Sequence, residues 1–178
     1  MSDHQQKLLD LLVANGAKLH ALLTRLTLRP DVAEDLLQEL FLKLNGSTAW
    51  KRCRDADAYA YRAAIHLAFD WHRAQKRRAH EPLRENASAP ASSPLAAVIQ
   101  REEFQEVLDA LSQLPEVSRD CLVLRHLEDE AYESIALQLG KTAHQIRALC
   151  DKGLVQLRQI LGKKHREPDP KEVANDRS

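Results

Sequence analysis

Cations and aromatic rings recur together on one stretch of this 178-residue chain, Ala58–His80, which reads AYAYRAAIHLAFDWHRAQKRRAH. Arg62, His66, Phe69, Arg73 and Lys76 follow one another at helical spacing, and Arg77 and Arg78 extend the row. Trp50, Tyr59, Tyr61, Phe69 and Trp71, five of the eight aromatic residues, lie in the stretch or just before it. Cations neutralise phosphates and rings stack on unpaired bases, so such a face suits nucleic acid. The opposite face, Tyr61, Ala64, Ile65, Ala68 and His72, is an apolar stripe that must pack on something. With no Gly or Pro inside it, the helix is unbroken. Taken alone, the same pattern also fits a core helix with a solvated basic end, a membrane-surface helix or a partner-groove helix.

A second group of candidate contact residues opens the last helix. Gly140-Lys141-Thr142 is a tight turn, and Thr142 with Gln145 has the spacing of a capping box. Two helices joined by a three-residue, Gly-containing turn, the second of them basic, match a helix-turn-helix. In that motif the start of the second helix enters the major groove. Here that start offers Thr142, His144, Gln145 and Arg147, with Lys141 and Lys152 placed for phosphates. An ordinary helical corner is the alternative.

Totals say little about partners, since Lys+Arg and Asp+Glu are both 26, but the distribution says more. Lys43–His80 carries nine basic and three acidic residues, Glu81–Gly140 four and twelve, and Lys141–Arg166 seven and one. Two basic blocks flank an acidic one, as in a protein that grips a polyanion at two places. Cys53, Cys121 and Cys150 are odd in number and far apart, so they read as reduced thiols rather than a disulfide framework or zinc site. No signal peptide, membrane insertion or spanning segment is expected, which points to the cytoplasm. His66 and Asp70 lie four apart on a helix, a spacing that can hold a metal. No HExxH, paired Cys or Gly-rich phosphate loop accompanies them. The expectation is therefore no enzyme, no catalytic residue, no metal and no cofactor, with Asp70 paired to Arg73 or Arg62.

The elements that must position these residues are all helical. Gln5–Leu28 forms one helix with Leu8, Leu12, Leu19, Leu22 and Leu26 on one side, ended by Arg29-Pro30. Asp31 opens the next, with Glu34 in a capping-box arrangement. That helix turns Val32, Leu36, Leu40 and Leu44 inward and an acidic strip of Glu34, Asp35, Gln38 and Glu39 outward. A loop to Asp57 carries Trp50, Lys51, Arg52 and Arg54. After Pro82–Pro94, which has a linker's composition, periodicity resumes at Leu95 with Val98, Phe104, Val107, Leu108 and Leu111 as core. Val117–Leu127 follows, burying Val117, Cys121 and Leu124, and then a short helix over Tyr132–Leu139. The last helix has an apolar stripe of Ile146, Leu149, Cys150, Leu154, Leu157 and Leu161. The fold class is all-α, two small helical domains joined by a flexible linker, the C-terminal one a helix-turn-helix. The boundaries are 1–81, a linker over 82–97, 98–162, and a polar tail over 163–178.

Both halves resemble one family. DVAEDLLQELFLKL at Asp31–Leu44 resembles the second-region helix of bacterial RNA polymerase sigma factors of the extracytoplasmic-function (ECF) group, within the sigma-70 family. AYRAAIHLAFDWHRAQKRR resembles the next helix of that family, an aromatic–Arg start, an N-L-A-x-D core and a basic end. The stretch from Leu111 to Leu161, with its Leu-Pro, Tyr-Glu-x-Ile-Ala and Leu-Gly, resembles the fourth region.

That resemblance implies a promoter-specificity subunit. Asp31, Glu34, Asp35, Gln38 and Glu39 would bind core polymerase at the β′ clamp helices, with the β flap as a further contact. Trp50, Lys51, Arg52, Arg62, His66, Arg73, Lys76, Arg77 and Arg78 would recognise and melt the minus-ten element. Lys141, Thr142, His144, Gln145, Arg147 and Lys152 would read the minus-thirty-five element. An anti-sigma factor is a partner that such proteins often have. A stand-alone helix-turn-helix regulator that dimerises through its N-terminal helices is the other reading. The chain departs from the family pattern at His66, where Asn is usual, at His144, where Gly is usual, and at Gly153, where Ala is usual.

Overall fold

A computed structural model describes residues 3–79 and 95–164, and among them are eight helices and no strand. The linker Pro82–Pro94 and the tail beyond 164 lie outside the described residues. α1 (Asp3–Thr27) packs on α2 (Pro30–Gly46) and on α4 (Ala56–Ala79), and α2 also packs on α4. A short α3 (Thr48–Arg52) stands where a loop was expected, with the Ser47 side chain accepting from the Trp50 backbone N–H at its start. In the second half, α5 (Leu95–Leu111), α6 (Glu116–His126) and α7 (Tyr132–Leu139) all pack on α8 (Ala143–Lys164). α5 begins at Leu95, and α8 continues through Gly162 to Lys164.

In α1 the core face is Leu11, Leu19, Leu22, Leu23 and Leu26, while Leu12, expected inside, is 45% exposed. The stripe is turned by one position, so that Leu11 rather than Leu12 stacks below Asn15 and Leu19. α1 ends at Leu28 in a left-handed conformation, φ 57°, with its N–H on the Thr24 carbonyl at 2.8 Å.

The expected capping box of Asp31 and Glu34 is not formed. Arg29 is the N-cap, without a side-chain hydrogen bond, and Pro30 supplies the first helical residue. Proline's fixed φ suits that first position and moves the start one residue upstream. Asp31 therefore lies in the first turn and pairs back to Arg29, Oδ2 to Nη2 2.5 Å. The Arg29 hydrogen bond holds the Asp31 carboxyl below the usual carboxylate range. Leu36, Leu40 and Leu44 face the core as expected, and the Glu34, Asp35, Gln38 and Glu39 strip is exposed.

α6 is the most enclosed element of the second half. Ser118 to Leu124 are all buried, and Val117, expected inside, is 40% exposed. It is enclosed because α8 and α7 lie against it and α4 of the first half also touches it. Gly153 lets α8 approach, since a Cβ there would lie 3.0 Å from Leu122 Cδ1 and 3.6 Å from Ser118 Cβ. The buried residues form one apolar cluster that includes members of both halves.

Candidate nucleic-acid interface

The start of α8 is built by its own side chains. Gly140 takes the left-handed conformation, φ 63°, and closes α7, with the following Lys141 N–H donating to the Ala136 carbonyl at 2.9 Å. Thr142 N–H donates to Gln145 Oε1 at 3.0 Å, and Gln145 N–H donates to Thr142 Oγ1 at 3.2 Å. This is the capping box that the sequence spacing implied. Around it Lys141, Thr142, His144, Gln145, Arg147 and Lys152 are all exposed. Arg147 is steadied from outside the helix, its guanidinium 5.1 Å from the Tyr132 ring, which Arg125 also contacts at 4.7 Å. Sequence reasoning missed this platform, whose ring comes from the start of α7.

The first half presents its candidates differently. Lys51 and Arg52 are exposed at the end of α3, and Arg73, Lys76, Arg77 and Arg78 are exposed along the last turns of α4. Arg73 pairs with Asp70 at 2.5 Å, one of the two pairings expected for that carboxylate. Arg62 is half-buried, and its Nε is enclosed without a hydrogen-bond partner.

Two of the rings are not on the surface. Trp50, a candidate minus-ten contact by sequence, is 0% exposed. Its indole N–H donates to the Ala56 carbonyl at 3.3 Å, Lys7 Nζ lies 4.9 Å from its ring, and His4 packs edge-on at 5.2 Å. It joins α3 to α1 and α4, so it is a core residue and no strand can stack on it here. Phe69, placed on the cationic face by its spacing, is also 0% exposed. The Arg119 guanidinium of α6 covers it at 4.7 Å and is itself 1% exposed.

The same helix takes up His66. Its Nε2 lies 2.8 Å from Asp120 Oδ2 and 3.3 Å from Glu116 Oε1. Asp120 is fixed by Arg119, whose Nη2 and Nε donate to Oδ1 at 2.9 and 3.2 Å. Further along the seam, Arg25 donates to the Leu127 carbonyl at 2.7 Å and pairs with Glu128, and Arg101 donates to the Leu28 carbonyl at 2.6 Å. A cleft of about 530 Å³ between the halves is lined by Asp55, Asp57, Glu128 and Glu130 together with Lys18 and Tyr61. Burial, and then Glu128, Asp57 and Glu130, raise the Tyr61 phenol above its ordinary pKa. So acidic a cleft repels a phosphate backbone.

Both halves of the chain match known proteins. Residues 11–78 match the sigma-70 region 2 family model, and residues 104–150 match that of sigma-70 region 4. An RNA polymerase sigma-E factor of Streptomyces coelicolor is 31% identical over 140 residues, covering 77% of this chain and 76% of the relative. The ECF RNA polymerase sigma factor SigE of Mycolicibacterium smegmatis is 28% identical over 157 residues, covering 86% and 61%. The sigma factor RpoE of Bartonella quintana, solved in complex with the anti-sigma factor NepR, aligns with a TM-score of 0.46 at 21% identity, over 91% of this chain and 98% of that one. No described helix is long and apolar enough to cross a membrane. With α1–α4 as region 2 and α5–α8 as region 4, the chain belongs to the ECF group of sigma-70 factors, DNA-binding initiation factors that join core RNA polymerase and direct it to promoters.

Proposed function

We propose that three surfaces divide the work of initiation, and that the chain carries none of the chemistry of RNA synthesis. The exposed strip of Glu34, Asp35, Gln38 and Glu39 on α2 docks on the β′ clamp helices of core polymerase. Asp31 contributes less, because Arg29 already holds it. Lys51 and Arg52 of α3, with Arg62, His66, Arg73, Lys76, Arg77 and Arg78 of α4, bind and open the minus-ten element. Lys141, Thr142, His144, Gln145, Arg147 and Lys152 at the start of α8 read the minus-thirty-five element in duplex form, while the second half rests on the β flap. The protein works in the cytoplasm, where polymerase and promoter are. An anti-sigma factor that covers both DNA-binding halves is the remaining partner that the family pattern supplies.

The observation that carries this reading is the start of α8: a turn closed by Gly140, a reciprocal cap, and the exposed side chains of Lys141, Thr142, His144, Gln145 and Arg147 around one helix end, with Lys152 exposed further along the helix. That is the arrangement a major-groove reader needs. For His66 to meet a base, α6 must first leave it, so the reading also requires the two halves to part when polymerase binds.

Its test uses purified full-length protein, core polymerase and promoter fragments. Reversing Asp35 and Glu39 to Lys together abolishes co-elution with core polymerase while leaving the helical signal intact. Replacing Lys76, Arg77 and Arg78 with Ala weakens open-complex formation and lowers the salt slope by about 0.7 for each single-strand phosphate that the variant no longer neutralises. Absence of any promoter-dependent transcript from the wild-type mixture would overturn the assignment of these surfaces.

A further inference from the structure

We propose that His66, Glu116 and Asp120 form a binding site for one divalent transition-metal ion, of which zinc is the natural occupant, bridging α4 of the first half and α6 of the second. The three donor atoms lie within 4.8 Å of one another, one from an imidazole and two from carboxylates. A tetrahedral zinc ion with N and O ligands at about 2.0–2.2 Å sets neighbouring donor atoms about 3.3–3.6 Å apart. His66 Nε2 and Glu116 Oε1 already stand at 3.3 Å, and His66 Nε2 and Asp120 Oδ2 at 2.8 Å need open by only about half an ångström to match that spacing.

The arrangement around Asp120 is that of a supported ligand. Arg119 binds Oδ1 through two N–H groups, which leaves Oδ2 turned towards His66. Arg119 is locked in turn, buried and stacked on Phe69. A metal-bound carboxylate is ordinarily held in this way by a hydrogen bond to its second oxygen. In the metal-free protein two carboxylate oxygens converge on a single ring nitrogen, which has at most one proton to share between them. An ion in that place satisfies all three donors, with the imidazole binding through Nε2 and its proton on Nδ1. Glu116 is 63% exposed, so the remaining coordination position opens to solvent for water.

Zinc is favoured over magnesium and calcium because the site holds an imidazole and few oxygens, whereas those ions take six or more oxygen ligands. Because the ligands come from both halves, a bound ion resists their separation. His66 cannot hold the ion and touch DNA at once, a consequence that rests on the function proposed above, whereas metal binding itself does not.

The test therefore uses the free, full-length, metal-stripped chain, without polymerase or DNA. Calorimetric titration with zinc sulfate is expected to give one ion per chain, with no saturable binding of magnesium or calcium at the same concentrations. His66→Gln and Glu116→Gln are each expected to weaken zinc about tenfold or more. Glu116 lies on the surface, so its variant keeps the fold, which circular dichroism verifies. Cys53→Ser and His126→Gln should bind as the wild type does. Zinc should also raise the melting temperature of the wild type, and raise that of His66→Gln less at the same zinc concentration. Lack of one-to-one zinc binding, or binding that survives both His66→Gln and Glu116→Gln undiminished, would overturn the proposal.

Discussion

His72 shows how much one buried side chain can govern at the scale of the residue. Its Nε2–H donates to the Leu26 carbonyl at 2.5 Å from a site only 7% exposed. Burial lowers its pKa, against smaller opposing effects of that hydrogen bond and of Asp109. The folded protein thus holds His72 neutral at a pH where the unfolded chain protonates it. The stability this provides is complete above about pH 6.5 and is lost as pH falls towards the depressed folded value. Denaturant melts at pH 7 and pH 5 should show the wild type losing stability on acidification, and His72→Gln losing less. Glu128 shifts upward by burial and acts with the opposite sign at lower pH, so the difference between wild type and variant is the quantity to read. The cysteines divide in the same way. Burial pushes the Cys121 thiol up to about 12 and raises Cys150, whereas Cys53 is only half-buried. Iodoacetamide at pH 8 should alkylate Cys53 alone in the native protein, and all three after denaturation. Residue types were legible in the sequence here but partners were not. Nothing local to Trp50 announces that α1 and α4 close over it. The spacing that put Phe69 beside Arg62 and His66 could not show that Arg119, fifty residues away, would cover it.

Elements were legible wherever their cause is local. The 3.6-residue recurrence of Leu36, Leu40 and Leu44, and the Thr142–Gln145 reciprocity, depend only on neighbours in the chain, and both are present in the structure. The Asp31–Glu34 pair looked equivalent, yet Pro30 took the first helical position and displaced it. The α3 turn was missed because five residues carry too little periodicity to separate a helix from a loop. Two glycines bear on the positioning of α8. At Gly140, where φ is 63°, Gly140→Ala should cost about 1 kcal/mol, read from chemical melts, because a Cβ crowds the left-handed backbone. The usual Ala at Gly153 would improve helix propensity, but here its Cβ would press on Leu122. Gly153→Leu should therefore destabilise by about 2 kcal/mol through overpacking between α6 and α8. If it proved as stable as the wild type, the close approach of these two helices would be wrong.

At the scale of the whole molecule, the sequence showed two helical halves, two basic blocks and the acidic block between them. It could not show that the acidic block turns inward onto the first basic one. Glu116 and Asp120 of α6 meet His66, and Arg119 meets Phe69, across roughly fifty residues of chain. Removing Arg119 leaves the buried Asp120 carboxylate short of its cation and uncovers an aromatic ring, so Arg119→Ala should cost about 3 kcal/mol. It should also enlarge the radius of gyration of the free protein in X-ray scattering. An unchanged radius would mean that the seam closes without it. Leu22, Leu40, Ile65, Leu108, Leu124 and Ile146 belong to one continuous apolar cluster, although they come from both sides of the linker. Heat should therefore melt the isolated protein in a single transition, its calorimetric enthalpy equal to its van't Hoff enthalpy. Once α6 is released, the two halves become separate cooperative units, each with its own melting point.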